Sequence, residues 1–97
     1  MYFKFKRLMK VTLELYGASR DFNDQNYLYF DVDKNSTIKD IRNKLIDYLD
    51  EKFTGNESYK KIVHSSAFCS GNDNIVSDNY KITSNEKIAI IPPIGGG

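Results

Sequence analysis

The chain ends in the stretch that decides its fold, KIAIIPPIGGG from Lys87 to Gly97. The run Lys87–Ile91 is almost wholly apolar, which predicts a central strand buried on both faces. Pro92 and Pro93 must end the ladder of this strand, because proline has no backbone N–H to donate. The sequence therefore predicts a buried strand that leads directly into a glycine tail.

The glycine tail is suited to carrying a reactive group. Glycine has no side chain, so a Gly-Gly end is a thin peptide that can enter a narrow channel and bring its carboxylate to a distant active site. The carboxylate of Gly97 would then react, and Gly96 would allow the threading. Against this stands the interpretation that the end is frayed or an expression scar. A terminal Gly-Gly gains weight only from the elements that precede it.

Two alternating segments predict a hairpin near the N-terminus. Lys10–Tyr16 and Asn26–Val32 alternate between apolar and polar residues, which is the period of half-buried strands. The polar stretch 17–25 between them is predicted to be a loop. The inward residues of the two strands are expected to be Val11, Leu13, Leu15, Leu28, Phe30 and Val32.

One main helix is predicted from about Thr37 to Phe53. Thr37 is a suitable N-cap, with Asp40 three residues later, and apolar residues follow at the spacings of a helix face. These residues are Ile38, Ile41, Leu45, Tyr48, Leu49 and Phe53. After the helix, Tyr59–Val63 is interpreted as a short helical turn or a loop.

The second half of the chain predicts shorter strands. Ser65–Ser70 indicates a strand centred on Ala67 and Phe68, and turn residues at 71–74 bring Ile75 and Val76 back as a hairpin. The order is strand, strand, helix, strand, short strand, strand. This is an α+β pattern in which one helix covers one face of a mixed sheet.

Composition excludes several classes of protein. The 97 residues carry 14 basic and 13 acidic side chains, a net charge of +1, which argues against a dedicated nucleic-acid binder. The longest uncharged apolar stretch, Ile88–Ile94, is too short to span a membrane. A chain of this length with 40% hydrophobic residues predicts one small soluble domain.

The cysteine and histidine content leaves little room for catalysis or metal binding. One Cys and one His cannot form an internal disulfide or a four-ligand zinc site, which predicts a reducing, cytoplasmic location. His64 and Cys69 are interpreted as lying on one strand and pointing to opposite faces, which disfavours a nucleophile and base pair. Cys69 is expected to be a packing residue and His64 a surface residue.

The pattern resembles the ubiquitin-like sulfur carriers of the MoaD/ThiS family, and within them the small subunit of molybdopterin synthase. That subunit typically ends in an apolar strand, two prolines, two variable residues and Gly-Gly, which Pro92 to Gly97 satisfy without a gap. The first strand, followed by Gly17 to Arg20, also resembles the family's opening. The resemblance extends from about Met9 to the end and leaves 1–8 as an N-terminal extension with no assigned function.

Two features depart from the family pattern. The stretch Asp50–Val63 is longer than the shortest members need, which is compatible with a surface insertion. Ile90 and Ile91 stand where many relatives carry aromatic residues, so the position stays hydrophobic and the fit to a partner changes.

The resemblance implies a ubiquitin-like β-grasp fold. A mixed four- to five-stranded sheet would pack on one main helix over 9–93, with a flexible reactive tail over 94–97. It implies a carrier that is not catalytic alone. A MoeB-like, ATP-dependent adenylyltransferase would adenylate Gly97, a sulfur donor such as a cysteine desulfurase would convert it to a thiocarboxylate, and the large catalytic subunit would receive the sulfur. ATP and the pterin precursor would be bound by these partners, so this chain would hold no cofactor and no metal.

The docking surface is expected around the tail. Ile91, Ile90 and Ile75 are predicted as apolar contacts and Arg20 as a polar one, together with the tail residues Pro92, Pro93, Ile94 and Gly95. If the last strand alternates, one of Ile90 and Ile91 must face inward.

Three other interpretations remain open at this point. A sulfur carrier of the thiamin-thiazole type shares the fold and the Gly-Gly end. A ubiquitin-like modifier would pass the activated Gly97 to a target lysine as an isopeptide. A plain interaction domain would carry the glycines incidentally.

Overall fold

The computed structural model describes residues 8–94, so the predictions for 1–7 and for Gly95–Gly97 lie outside the described part of the chain. Leu8, which the sequence grouped with the extension, is the first residue of β1. The elements are β1 (Leu8–Leu15), a 3-10 helix (Gly17–Phe22), β2 (Tyr27–Asp33), β3 (Ser36–Thr37), α1 (Ile38–Lys52), α2 (Glu57–Ser65), β4 (Ala67–Cys69), β5 (Ile75–Val76), β6 (Lys81–Ile82) and β7 (Glu86–Ile91).

Five strands form one mixed sheet in the order β2-β1-β7-β4-β5. β1 and β2 form the predicted antiparallel hairpin. β1 and β7 are parallel, with Leu13 opposite Ile88 and Leu15 opposite Ile90. β4 runs antiparallel to β7, β5 lies at the far edge, and β3 pairs with β6 in a separate small sheet. The predicted mixed sheet of four to five strands is confirmed.

α1 covers one face of the large sheet and begins where the sequence predicts. The Asp40 carboxylate accepts a hydrogen bond from the Thr37 backbone N–H at 2.9 Å, and the Thr37 hydroxyl accepts one from the Asp40 N–H. This reciprocal pair satisfies backbone donors that a helix start leaves free. Helix and sheet meet in one core that includes Ile38, Ile41, Leu45, Leu49, Val11, Leu13, Leu15, Phe68, Ile88 and Ile90.

A second helix, α2, follows α1 and is longer than the turn predicted at Tyr59–Val63. The Asn56 side chain caps it by accepting a hydrogen bond from the Tyr59 N–H at 3.1 Å. The Tyr59 ring packs against Phe22 of the 3-10 helix, with ring centroids 5.3 Å apart. Phe22 is fully buried, so the prediction of a polar loop at 17–25 is wrong there. Neither α1 nor α2, the two α-helices within residues 8–94, is long and apolar enough to cross a membrane.

β7 is buried on one face only, which corrects the prediction of burial on both. Ile88 and Ile90 are fully buried, whereas Lys87 is exposed and 37% of Ile91 is accessible. The reason is that α1 covers only one side of the sheet, so the alternate side chains of β7 stay on the open side.

His64 and Cys69 do not share a strand, contrary to the prediction. His64 lies exposed on α2, and Cys69 lies half-buried on β4. Across residues 8–94, no group of His, Cys, Asp and Glu side chains is arranged to hold a metal ion.

Arg42 of α1 contacts the end of α2, Asp78 and the Phe68 ring of β4. Its guanidinium donates to the carbonyls of Val63 and, at 3.0 Å, Ser66, which lie at the end of α2. It also pairs with Asp78 at 2.8 Å and lies over the Phe68 ring of β4, 4.8 Å from its centroid. Because the last carbonyls of a helix lack partners further along the helix, Arg42 supplies a donor to the Ser66 carbonyl and a second donor to the Val63 carbonyl, which also accepts from the Ser66 N–H.

We expect Arg42→Lys to lower the free energy of unfolding by about 1 to 3 kcal/mol, because an ammonium cannot serve two carbonyls and a carboxylate with the geometry of a guanidinium. Urea unfolding followed by circular dichroism measures the change. Arg20→Lys, an exposed arginine in the 3-10 helix, is the matched control and should be neutral. Equal stability of the two variants would contradict the role assigned to Arg42.

Candidate functional site

The tail root, defined as Pro92, Pro93 and Ile94, follows directly on β7. Pro92 is buried, Pro93 is exposed, and the Ile94 side chain is fully exposed. Because neither proline can donate to a ladder, the chain leaves the sheet at this point. Gly95, Gly96 and Gly97, the predicted reactive tail, lie beyond the described residues.

Gly17 supports the tail root. Its φ of +55° lies in the left-handed region, where residues with a Cβ are strained. A Cβ at Gly17 would lie 3.9 Å from Cδ of Pro92, so the two residues are in contact range. Since Leu15 lies opposite Ile90 in the parallel pair, the turn after β1 and the exit of β7 meet at the same edge of the sheet.

A groove of about 350 Å³ adjoins the tail root. Its apolar lining comes from Ala18, Ile62, Pro92 and Pro93, and its polar lining from Ser58, Lys61 and Ser65. α2, which the sequence did not predict as a full helix, therefore forms one wall of the surface around the tail root.

The open face is the side of the large sheet that points away from α1. Residues paired across neighbouring strands share a face, because side chains alternate along each strand. The pairings place one row of residues across all five strands: Tyr27, Glu14, Ala89, Cys69 and Ile75. Ile91 lies opposite Ala67 in the next row towards the tail.

An apolar patch occupies the tail end of this face and consists of Ala67, Cys69, Ile75, Ala89 and Ile91. Ile75 is 75% exposed, and Ile91 directly precedes the tail root. Exposed apolar residues gathered beside a functional segment are typical of surfaces that bind other proteins. Ile75 and Ile91 are thus both accessible on the open face, on β5 and β7, and their role in binding a partner stays a prediction.

Two of the predicted partner contacts do not reach the surface. Ile90 is fully buried among core residues, so the prediction that it contacts a partner is wrong, because β7 alternates and Ile90 faces α1. Pro92 is also buried, which leaves Pro93 and Ile94 as the accessible part of the tail root. Arg20 is exposed on the 3-10 helix, and its binding role stays a prediction.

Glu14 forms a polar centre on the open face that the sequence reasoning missed. Its carboxylate accepts a hydrogen bond from the Tyr27 hydroxyl at 3.3 Å and pairs with the Lys87 ammonium at 3.5 Å. Hydrogen bonding from Tyr16, together with Lys87 and Tyr27, lowers the pKa of Glu14. The outward position of Glu14 in β1 was visible in the sequence, but its partner Lys87 follows only from the parallel register of β1 and β7.

We expect Glu14→Gln to make the free energy of unfolding less dependent on pH under acidic conditions. The pKa of Glu14 is lowered from its ordinary value of 4.5, so the ionised carboxylate stabilises the folded state above that pH. This contribution is lost as pH falls through the folded pKa. The free energy of unfolding, measured in urea from about pH 6 to about pH 3, should therefore fall more steeply in the wild type than in Glu14→Gln. Glu51→Gln, at an exposed site on α1, is the control, and identical profiles for all three proteins would refute the expectation.

Solved structures share this fold at low sequence identity. Small archaeal modifier protein 1 of Haloferax volcanii is 13% identical, with a TM-score of 0.65 over 89% of this chain and 99% of that chain. A candidate molybdopterin converting factor subunit 1 of Pyrococcus furiosus is 15% identical, with a TM-score of 0.66 over 89% and 99%. The ubiquitin of Caldiarchaeum subterraneum is 15% identical, with a TM-score of 0.60 over 94% and 100%. The likeness confirms the predicted ubiquitin-like β-grasp fold.

The family is shown by the sequence itself, although no curated protein matches the chain. The ThiS family profile matches residues 13–97, from the middle of β1 through the tail root to Gly97. The match covers most of the chain and includes the second half of the first strand, the segment Gly17 to Arg20 and the Pro-Pro to Gly-Gly end. The chain belongs to the ThiS family of ubiquitin-like sulfur carriers.

Proposed function

We propose that this chain is the sulfur-carrying subunit of a molybdopterin synthase, with Gly97 as the C-terminal residue that carries the sulfur. The observation that carries the proposal is the family match through Gly97, which makes the glycine end part of the family's domain. The Pro92-Pro93 pair before the tail favours the molybdopterin branch over the thiamin branch. The P. furiosus structure, described as a candidate molybdopterin converting factor subunit, has the same fold.

The chemistry proposed for Gly97 begins with activation. A carboxylate is a poor acyl donor because it has no good leaving group, so its oxygen first attacks the α-phosphate of ATP, which gives an acyl adenylate and releases pyrophosphate. The terminal sulfur of a persulfide then displaces AMP, and a thiol cleaves the sulfur–sulfur bond to leave a thiocarboxylate on Gly97. The thiocarboxylate sulfur attacks the pterin precursor and forms a thioester between Gly97 and the precursor. Water then cleaves the acyl carbon–sulfur bond, which leaves the sulfur on the precursor and returns Gly97 to the carboxylate.

The proposal gives the binding sites for the reactants to other proteins. ATP would bind to a MoeB-like adenylyltransferase, the persulfide would belong to a donor such as a cysteine desulfurase, and the pterin precursor would bind to the large catalytic subunit. This chain contributes the tail and the surface that docks it. The apolar patch supports such a role, because it begins at Ile91 and lies beside the tail root.

A ubiquitin-like modifier is the second candidate function. The fold is shared with small archaeal modifier protein 1 and with an archaeal ubiquitin, whose names describe protein modification. Both functions need the same adenylate on Gly97, and they differ in whether sulfur or a lysine amine displaces AMP. Lysine-linked conjugates in cells that disappear on deletion of Gly96 and Gly97 would favour the modifier. A thiamin-type carrier differs only in the acceptor of the sulfur.

We expect the tail to be charged with sulfur only when Gly97 is terminal. The chain is co-expressed with the adenylyltransferase of the same genome and a cysteine desulfurase, and intact-mass analysis looks for replacement of one oxygen by sulfur on Gly97. One alanine added after Gly97 should abolish this product, because it places the reactive carboxyl in a peptide bond.

An alanine added before Met1 is the matched control for the tail extension and should be charged like the wild type. Free acid alone on the wild type, with an adenylyltransferase that is active on ATP, would rule out the carrier function. Charging of the extended chain in the absence of a processing protease would rule out Gly97 as the carrier residue.

We expect Ile75→Glu to weaken binding to the large catalytic subunit by about tenfold or more, because a charge introduced into the apolar patch must be desolvated on docking. Isothermal titration calorimetry measures the dissociation constants. Leu8→Glu is the matched control, since Leu8 is an exposed apolar residue at the far end of β1 and outside the patch. A dissociation constant unchanged by Ile75→Glu would remove the apolar patch from the interface.

A further inference from the structure

A polar pocket of about 190 Å³ opens on the open face beside the apolar patch. β1, β7 and the turn between β4 and β5 supply its walls. We call it the Glu14 pocket, and it is lined by Glu14, Tyr16, Ser70, Gly71, Asp73, Lys87 and Ala89. Ala89 belongs to both surfaces, so the pocket and the patch are continuous.

The charges of the pocket do not balance. Glu14 and Asp73 contribute two carboxylates against the single ammonium of Lys87, which leaves one negative charge. The Glu14 side chain is only 18% exposed, whereas the Lys87 side chain is 56% exposed. The carboxylate is therefore fixed inside the pocket, and the ammonium lies towards solvent, where another cation can replace it.

Tyr16 lines the pocket beside Glu14. The pKa of its hydroxyl is raised, first by hydrogen bonding to Glu14 and to a smaller extent by the charge of Asp73. Tyr16, Glu14 and Asp73 all line the pocket. Asp73 is held there by the turn, where its φ is +62° and its backbone N–H donates to the Ser70 carbonyl at 3.0 Å.

Docking on the apolar patch would cover this pocket. Removing an ionised carboxylate from water is unfavourable unless a counter-charge is provided, and an apolar partner surface provides none. Two carboxylates and one displaceable ammonium match a cation and not an anion.

We propose that the Glu14 pocket receives a basic side chain of the large catalytic subunit when that subunit docks on the apolar patch. The proposal rests on the proposed function and adds a specificity determinant to it. The partner surface then combines an apolar area with an arginine or lysine that enters beside Tyr16, between Glu14 and Asp73. A partner with an acidic or purely apolar residue at this position is rejected, because it leaves Glu14 buried without sufficient counter-charge.

The pocket itself is tested first with argininamide, without any partner protein. Argininamide is titrated into the 15N-labelled chain at constant ionic strength, with sodium chloride as the reference cation. We expect saturable amide shifts confined to Glu14, Tyr16, Ser70, Asp73 and Lys87, and their loss in Glu14→Gln and in Asp73→Asn. Glu51→Gln, the control on α1, should respond like the wild type. Shifts absent from the pocket, or unchanged in both pocket variants, would overturn the proposal.

The partner role is tested by calorimetry with the large catalytic subunit. Glu14→Gln is expected to raise the dissociation constant by about tenfold or more and to reduce its dependence on salt. Asp73→Asn should act in the same direction, and it suits the left-handed turn if Glu14→Gln folds poorly. Lys87→Gln should bind as tightly as the wild type or more tightly, because the partner's cation takes the place of Lys87.

The outcomes separate this proposal from the proposed function. Equal binding by the wild type, Glu14→Gln and Asp73→Asn would overturn the pocket as a specificity site while leaving sulfur transfer intact. Weakening by Lys87→Gln as large as that by Glu14→Gln would show that the ion pair only supports the fold, and would also overturn it. A wild-type chain that acquires no thiocarboxylate and binds no large subunit would overturn the proposed function, while the argininamide titration still decides on the pocket.

Discussion

The parallel pairing of β1 with β7 is the constraint on which the rest of the structure depends. Parallel neighbours cannot be joined by a tight turn, so the whole chain between them acts as a crossover connection and places α1 over one face. Because the two strands run in the same direction, their ends lie together: Leu15 is opposite Ile90, and the Gly17 turn reaches Pro92. The pairing of the two central strands therefore determines where the tail root leaves the sheet.

The same pairing makes β7 serve the core and the surface at once. Ile88 and Ile90 fill the core against α1, while Ala89 and Ile91 lie between them on the open face. Ala89 and Ile91 of the apolar patch lie on a central strand, whose backbone is paired on both sides with β1 and β4. The packing of Ile88 and Ile90 in the core therefore positions these two residues and Lys87 of the Glu14 pocket.

The sequence predicted the parts of the fold that rest on strong periodicity, namely β1, β2, the Thr37-capped helix and the strand before Pro92. It missed the full extent of α2 because that helix is short and is held by contacts distant in sequence, such as Tyr59 on Phe22 and Arg42 on its last carbonyls. The apolar run of β7 suggested two buried faces, although the burial of each face depends on how many helices cover the sheet.

In the candidate site, too, features set by the local sequence could be predicted, and features set by contacts between distant segments could not. The sequence singled out Ile75, Ile91 and the tail, and the structure shows that Ile75 and Ile91 are accessible, while their role in binding stays a prediction. The inward position of Ile90 needed the phase of the strand, which the sequence left open between Ile90 and Ile91. The contact of Glu14 with Lys87 could not be predicted, since it exists only through the register of two strands from opposite ends of the chain.

Under the proposed function, the length of the tail limits where a docking surface can lie. Four residues, Ile94 to Gly97, reach at most about 13 to 14 Å when fully extended. A partner that reacts with Gly97 must therefore approach the tail root closely, and the surface within that distance is the groove beside Pro93 and the patch that begins at Ile91. The Glu14 pocket adjoins that patch at Ala89, so a partner docked on the patch would also lie beside Glu14. In the proposed function, the reach of the tail and the selection of a basic partner residue therefore depend on the same end of the sheet.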